Sequence, residues 1–242
     1  MDSFFQRLTC GSHLKGLNLV DASVLKNTDT KQQWSARLQY EVEGKRLIQI
    51  REDEFRDKRL IVDSMLLGFY GLHEKWGARE LSVVDISWRE SSLFYNDNHL
   101  QGAGTGYKLS LALEKNGILY CVLSLLQKGG VVEIKRFASR KGFTVAGGFS
   151  RLLAAASERF SAECLESWCD LRYANGVSYE KAGFIKVKET LGWSWTDFTQ
   201  VYHRLKCRAN MDSRGLSEKE HAAELKWVKI YDAGQRLYRR AL

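Results

Sequence analysis

The chain of 242 residues contains no proline at all, against an average usage of about 5%. Glycine, asparagine and aspartate alone must therefore punctuate it, and element boundaries carry fewer marks than usual. Support for disulfides is equally thin. The five cysteines, at 10, 121, 164, 169 and 207, are odd in number and lack close paired spacing. Cys121 sits in an apolar run, and Cys164 and Cys169 flank another, a pattern of buried free thiols. No apolar run reaches the ~18 residues needed to span a bilayer. The opening MDSFFQRLTCGSHLK also lacks the basic start and apolar core of a secretory signal. These absences predict a reduced, soluble, cytoplasmic protein with no membrane partner.

Apolar residues and positive charge are both present in quantity. Hydrophobic residues make up 44% of the chain and aromatics 12%, enough for a packed core and too much for global disorder. Lys and Arg number 37 against 29 Asp and Glu, a formal charge of +8. That balance favours phosphate-rich partners, nucleic acid or nucleotide, through long-range attraction and counterion release.

Three zones appear along the chain: 1–78, 79–207 and 208–242. In the first, RLIQI reads as a short strand, and Leu60, Ile61, Met65 and the run from Leu67 to Leu72 fit a helical stripe. From Arg79 the pattern is regular. ELSVVDIS alternates as a strand, and Ser87-Trp88-Arg89-Glu90 is a capping box opening a helix. YKLSLALE and ILYCVLSLL flank Asn116-Gly117, a strong hairpin signal. The strand VVEIKRFAS, the helix AGGFSRLLAAASERF, the strand CLESWCDLRY, the helix GVSYEKAG and the strand FIKVKETL follow. Antiparallel strands feeding a βαβα unit predict an α+β fold with a mixed sheet and helices on its faces. In the last zone Ser217 and Glu220 form a second capping box, and WVKIYDAGQRLYRR reads as two strands joined at Asp-Ala-Gly.

Several residues could carry chemistry. Gly147-Gly148, with Ser150, opens a helix directly after a strand, where unpaired amides and the helix dipole suit a phosphate; a plain tight turn explains the glycines equally well. His99 stands beside Gly102, Gly104 and Gly106, and Arg136 lies within a strand, where a long cation requires a ligand or a carboxylate. Asp170, Arg172, Tyr173, Asn175 and Tyr179 crowd one strand-to-helix junction, the place where open α/β sheets present reactive groups. Trp193, Trp195, His203 and Arg204 combine bases with rings, a composition suited to stacking on nucleotides. His99 and Asp170, joined by a tyrosine, are candidates for an oxygen-and-nitrogen site for an iron-type metal.

From Arg46 onward the sequence resembles the GNAT-like domain of phage homing-endonuclease-like proteins. The likeness rests on IREDEF (50–55), NHLQG (98–102), IKRFAS, CDLRYANGVSYEKAGF, YHRLKCR and IYDAG. The same core resembles the phage DNA-modification protein family typified by Mom. The resemblance implies a GNAT-like fold over 79–207, a nuclease remnant in 1–78 and a basic helix-hairpin tail in 208–242. It further implies a phage or prophage transferase acting on a DNA base, with a coenzyme A (CoA) thioester or related activated donor. By that likeness His99, Arg136, Asp170 and Tyr179 are catalytic, and Gly147, Gly148, Ser150 and Asn175 hold the donor. Arg172, Trp193, Trp195, His203 and Arg204 are assigned to DNA. Glu52, Asp53 and Glu54 lack the partner carboxylates of a two-metal nuclease, which argues against DNA cleavage. Two rival readings are a non-catalytic DNA-binding relic and an N-acetyltransferase acting on protein or small-molecule amines.

Overall fold

The structure is a computed structural model that describes residues 17–20, 38, 41–43, 48–203, 206–207 and 215–242. In chain order, β1 (Leu17–Val20) and β2 (Ile48–Arg51) lead into α1 (Glu52–Asp57) and α2 (Arg59–Phe69). Next come β3 (Glu74–Gly77), β4 (Ser82–Asp85), α3 (Trp88–Asn98), β5 (Leu109–Lys115), β6 (Ile118–Lys128), β7 (Val131–Ser139) and β8 (Phe143–Ala146). The chain continues through α4 (Gly148–Ser157), β9 (Cys164–Asp170), α5 (Val177–Lys181), β10 (Ile185–Thr190), β11 (Trp193–Thr196) and β12 (Val201–His203). It closes with α6 (Glu218–Glu224), β13 (Val228–Tyr231) and β14 (Gln235–Ala241).

The described residues fall into two compact units. One, the sheet unit, holds Arg56–Cys169, Gly176–Lys188 and Arg236–Leu242; the second gathers the described residues up to Phe55, Asp170–Asn175 and Glu189–Gln235. Seven strands form a mixed sheet in the order β10-β14-β9-β7-β6-β5-β4. β4 through β7 are antiparallel neighbours and β7 pairs with β9 in parallel. The protein is thus a mixed α/β chain with a large central sheet and few helices, the class expected from the sequence.

Local chemistry explains the sheet unit. The β5–β6 hairpin closes at Asn116 and Gly117, both at positive φ (53° and 79°), the backbone that a two-residue turn requires. Residues Leu111–Leu113 and Cys121–Leu125 are fully buried, as suits strands covered on both faces. One cover is α3, whose Phe94 and Tyr95 pack on Ala112, Val122 and Ala138. Its start is fixed by the Ser87 and Glu90 capping box, in which each side chain accepts from the other residue's backbone amide. The other cover is α4, whose Leu152, Leu153 and Ala156 are buried as one helical face. Burying each such leucine stabilises the fold by about 1.5–3 kcal/mol.

Two readings of the sequence need correction. Sequence reasoning places no strand between VVEIKRFAS and the helix AGGFSRLLAAASERF, but Phe143–Ala146 form β8, which pairs in parallel with β3. The closing segment is not a hairpin. β13 pairs with β11 in a three-stranded sheet, whereas β14 inserts between β10 and β9 in the seven-stranded one.

Gly176, the residue before α5, carries a further constraint. Its φ is +85°, and a Cβ there would lie 1.9 Å from the Tyr238 hydroxyl oxygen. That hydroxyl cannot retreat freely, because it donates to Glu180 Oε1 (2.9 Å), accepts from Arg236 Nη1 (3.2 Å) and belongs to a fully buried ring. Gly176→Ala is therefore expected to lower stability by at least about 2 kcal/mol, from left-handed backbone strain plus overpacking. A denaturant midpoint compared with Gly183→Ala checks this. Gly183 also has positive φ, but its Cβ would find only Arg240 Cδ, at 3.5 Å.

Candidate functional site

The site begins at a defect in β7. Residues Val131–Ile134 pair with Cys164–Ser167 of β9, and the pairing stops there although both strands run on. At the same point the register between β6 and β7 shifts, with Leu125 opposite Ile134 and Ser124 opposite Arg136, so Lys135 is one residue too many. A bulge of this kind bends a strand and increases its twist. The two parallel strands therefore splay apart beyond Ile134 and Ser167.

Tyr179 of α5 lies beside this opening. Ser167 Oγ, almost fully buried, donates to the Tyr179 hydroxyl at 2.9 Å. With Ser167 donating, the tyrosine's own proton has no acceptor among the described residues. The ring stacks on Tyr238 at 5.1 Å and meets Phe149 and Phe184 edge-on at 5.4 and 5.6 Å. Phe149 in turn packs on Phe137 of β7 at 5.0 Å. Burial pushes the Tyr179 hydroxyl up to about 12, against a smaller lowering by Ser167. It is accordingly a neutral donor throughout the physiological range. The Gly183-Phe184 sequence serves packing as well: Gly183 takes φ +82° after α5, and Phe184 is buried with its amide donating to the Tyr179 carbonyl.

The splayed strand leads into β8 and then α4. Gly147 occupies the N-cap in the left-handed conformation (φ 74°), and no side chain caps the helix. The first intrahelical bond runs from Arg151 N–H to Gly147 O, so the first-turn amides of Gly148, Phe149 and Ser150 point out of the helix without an intrahelical acceptor. Gly148 is buried, and a Cβ there would press on Cys121 Sγ and Val145 Cβ at 3.2 Å. Ser150 is exposed in the same turn.

His99 and Arg136 meet at a neighbouring turn of the sheet unit. The His99 carbonyl accepts from Gly102 N–H at 2.8 Å, and the Gly102 carbonyl accepts from Arg136 Nε at 3.2 Å. Arg136 Nη1 donates to the Lys135 carbonyl at 2.9 Å. His99 Nδ1 accepts from Gln101 N–H, and its ring stands edge-on to Tyr95 at 6.2 Å. Tyr95 is fully buried, donates to Ser124 Oγ at 3.0 Å and has its pKa driven up by burial. Arg136 and Phe137 are successive strand residues and face opposite sides of β7, so Arg136 and Tyr179 do not share a face.

Asp170 has a different setting, in the second unit. Its carboxylate accepts from Arg172 N–H (3.1 Å), Nε (3.3 Å) and Nη2 (3.1 Å). Arg172 Nη1 donates to both oxygens of Glu54 at 2.9 Å, and Arg51 Nη2 donates to Glu54 Oε1 at 2.9 Å. Arg172 is only 3% exposed. Burial opposes the charge of Glu54, but Arg172 and Arg51 outweigh it and hold the carboxyl below the usual range. Burial raises Asp232, which faces the same cluster; Arg172 counters this and Asp170 adds to it. A small, partly open pocket is lined by Gln49, Arg51, Arg172, Ser194 and Asp232 among others.

This placement corrects one expectation. Arg172 is spent on Glu54 and Asp170 inside the unit and presents no face to a nucleic acid. Glu54 is held by two cations, Arg51 three residues before it and Arg172 118 residues after it in sequence. Sequence reasoning also missed Ser167, Tyr95 and the bulge at Lys135. Of the residues assigned to DNA, Trp195 is buried and donates to Glu218 Oε1 at 3.3 Å. Trp193 is half-buried beneath Lys229 Nζ at 4.0 Å. His203 and the donor candidate Asn175 are exposed, and Arg204 lies outside the described residues. No cluster of three His, Cys, Asp or Glu side chains suited to a metal occurs among the described residues, and the iron-type site gains no support. No described helix is long and apolar enough to cross a membrane.

A scan of protein-family models finds no match, and a search of curated proteins finds none either. Among solved structures the chain is similar to an IAA acetyltransferase from Bacillus cereus, at 15% identity and TM-score 0.39, over 67% of this chain and 99% of that one. It is also similar to the ribosomal-protein-S18-alanine N-acetyltransferase from Escherichia coli, at 10% identity and TM-score 0.43, over 66% and 92%. An aminoglycoside 6'-acetyltransferase matches at 8% identity and TM-score 0.40, over 66% and 97%. At TM-scores below 0.5 the likeness decides nothing by itself. Nothing in these matches links the chain to phage base-modifying proteins or homing endonucleases.

Proposed function

We propose that the protein is an acyltransferase of the GNAT type that takes an acyl group from a CoA thioester and delivers it to an amine. The observation that carries this reading is the splay of parallel β7 and β9, followed by a left-handed Gly147 and the uncapped first turn of α4. Outward amides at the positive end of a helix dipole suit a pyrophosphate, and the exposed Ser150 leaves that turn open. The thioester supplies the activated acyl carbon. Gly148, Phe149 and Ser150 would hold the phosphates through their amides, and Tyr179 would hold a proton toward the departing sulfur.

Ser150→Asp separates binding from folding. A carboxylate in the first turn favours the helix dipole, so thermal stability is expected to hold or rise slightly. The same charge repels the donor's phosphates, so CoA affinity by titration calorimetry is expected to fall by about tenfold or more. Equal affinity in both proteins contradicts the assignment of this turn.

A second reading makes DNA the bearer of the amine. The net charge of +8 and the lysines over rings, Lys229 on Trp193 and Lys206 on Tyr202 (4.5 Å), support it. Mass spectrometry of nucleosides from expressing cells tests it. An acylated base absent from cells expressing Tyr179→Phe supports it, and identical profiles with and without the protein count against it.

A further inference from the structure

Arg136 occupies the splayed part of β7, two residues past the last pair with β9. A half-buried arginine in a strand ordinarily neutralises a carboxylate. Here the guanidinium donates through Nε to Gly102 O and through Nη1 to Lys135 O, both carbonyls, and no carboxylate partners it among the described residues. The nearest acid on its own strand, Glu133, is paired with Lys135 at 2.9 Å. Two carbonyls fix the plane of the guanidinium without cancelling its charge. Three of its five N–H donors, both on Nη2 and one on Nη1, remain unspent.

The surroundings hold this group firmly. Tyr95 Oη reaches the Arg136 carbonyl (3.2 Å) as well as Ser124, and Ser124 Oγ lies 2.7 Å from Ser110 Oγ. The Gly102 loop that anchors Nε is itself tied down: Gly102 N–H donates to His99 O and Ala103 N–H to Asn96 Oδ1 at 2.9 Å. A cation held in one orientation with unspent paired donors matches an oxyanion, which it can grip through two parallel hydrogen bonds.

We infer that Arg136 is a recognition site for an oxyanion, carboxylate or phosphate, carried by the acyl acceptor. The inference deepens the proposed acyl transfer and rests on it for the word acceptor. The anion site itself stands on the geometry alone. It places the acceptor on the α3 side of β7, the face opposite Phe137 and Tyr179. It also restricts acceptors to amines that carry an acidic group.

The test uses the full chain without CoA. The side-chain Nε–Hε resonance of Arg136 is assigned by its loss in Arg136→Lys, then followed during separate titrations with sodium phosphate, sodium acetate and sodium chloride. A saturable shift with phosphate or acetate, absent with chloride at equal ionic strength, is the expected result. The arm that saturates at lower concentration names the acid class. Shifts that track ionic strength alike in all three arms would overturn the site and leave Arg136 as a strut for the Gly102 loop. Because CoA is absent, failure of the acyltransferase reading shows up separately, as loss of CoA binding in a protein whose Arg136 still saturates.

Discussion

Glu54→Gln is expected to destabilise the protein by about 3 kcal/mol or more, the usual cost of removing one member of a buried ion pair. Glu54 is 7% exposed and accepts from Arg172 and Arg51 at 2.9 Å. Glutamine keeps the shape and one acceptor but leaves the guanidinium of Arg172 partly uncompensated where water cannot reach it. Asp170 remains its only direct anionic partner among the described residues and already spends its oxygens there. The effect has a defined pH dependence. Because Glu54 is held below the ordinary glutamate value of ~4.3, its contribution is complete above that value and disappears as pH falls through the lower folded one. Denaturant midpoints across the acid range check both points. The variant should start lower at neutral pH and lose less on acidification than the parent. Arg56→Gln, which breaks the exposed contact of Arg56 with Asp57, is the control and should change nothing measurable.

Tyr179→Phe is expected to slow acyl transfer about 10²-fold, the low end of what a positioned proton donor contributes, with CoA affinity unchanged. The Tyr179 proton has no acceptor among the described residues, while Ser167 already fills one lone pair of the oxygen. The group is poised to donate. Burial keeps it protonated up to about 12, so its titration should not limit the rate at any pH below that; a fall in rate assigned to this hydroxyl appears only as pH rises toward its pKa. Ser167→Ala provides the comparison, since it removes the fixing hydrogen bond but leaves the phenol in place. Its rate should fall less than that of Tyr179→Phe. Loss of CoA affinity in Tyr179→Phe equal to its loss of rate would assign the tyrosine to binding instead.

Much of the sheet unit was readable in one dimension because its signals are local. The Ser87 and Glu90 capping box, the Asn116-Gly117 turn and the Leu152, Leu153 and Ala156 stripe each involve residues within a few positions of one another, and each forms as expected. β14 was legible as a strand, but its place between β10 and β9 was not: Arg236, Leu237 and Tyr238 are all buried in succession, so no alternation marks which sheet it joins. The bulge at Lys135 escaped because neither glycine nor proline marks it; tertiary pairing on both sides of β7 creates it. Around the candidate site, local conformation was readable and long-range contacts were not. Gly147 and Gly148 announce the helix start that forms there, and Tyr179 was singled out as part of the crowded junction after β9. That Asp170 serves Arg172, and that Arg172 serves Glu54 across 118 residues, depends on contacts no local pattern encodes. His99 and Arg136 were singled out from sequence, but only the Gly102 bridge explains why one arginine keeps its charge unspent.

The central claim is that the opening between β7 and β9 leads to a phosphate cradle at the start of α4. The most direct measurement is the backbone amide spectrum of the full chain during titration with CoA. The account predicts saturable shifts at Gly148, Phe149 and Ser150, larger than those elsewhere on α4. Tight CoA binding that leaves these three amides unmoved, or no binding at all, would contradict it.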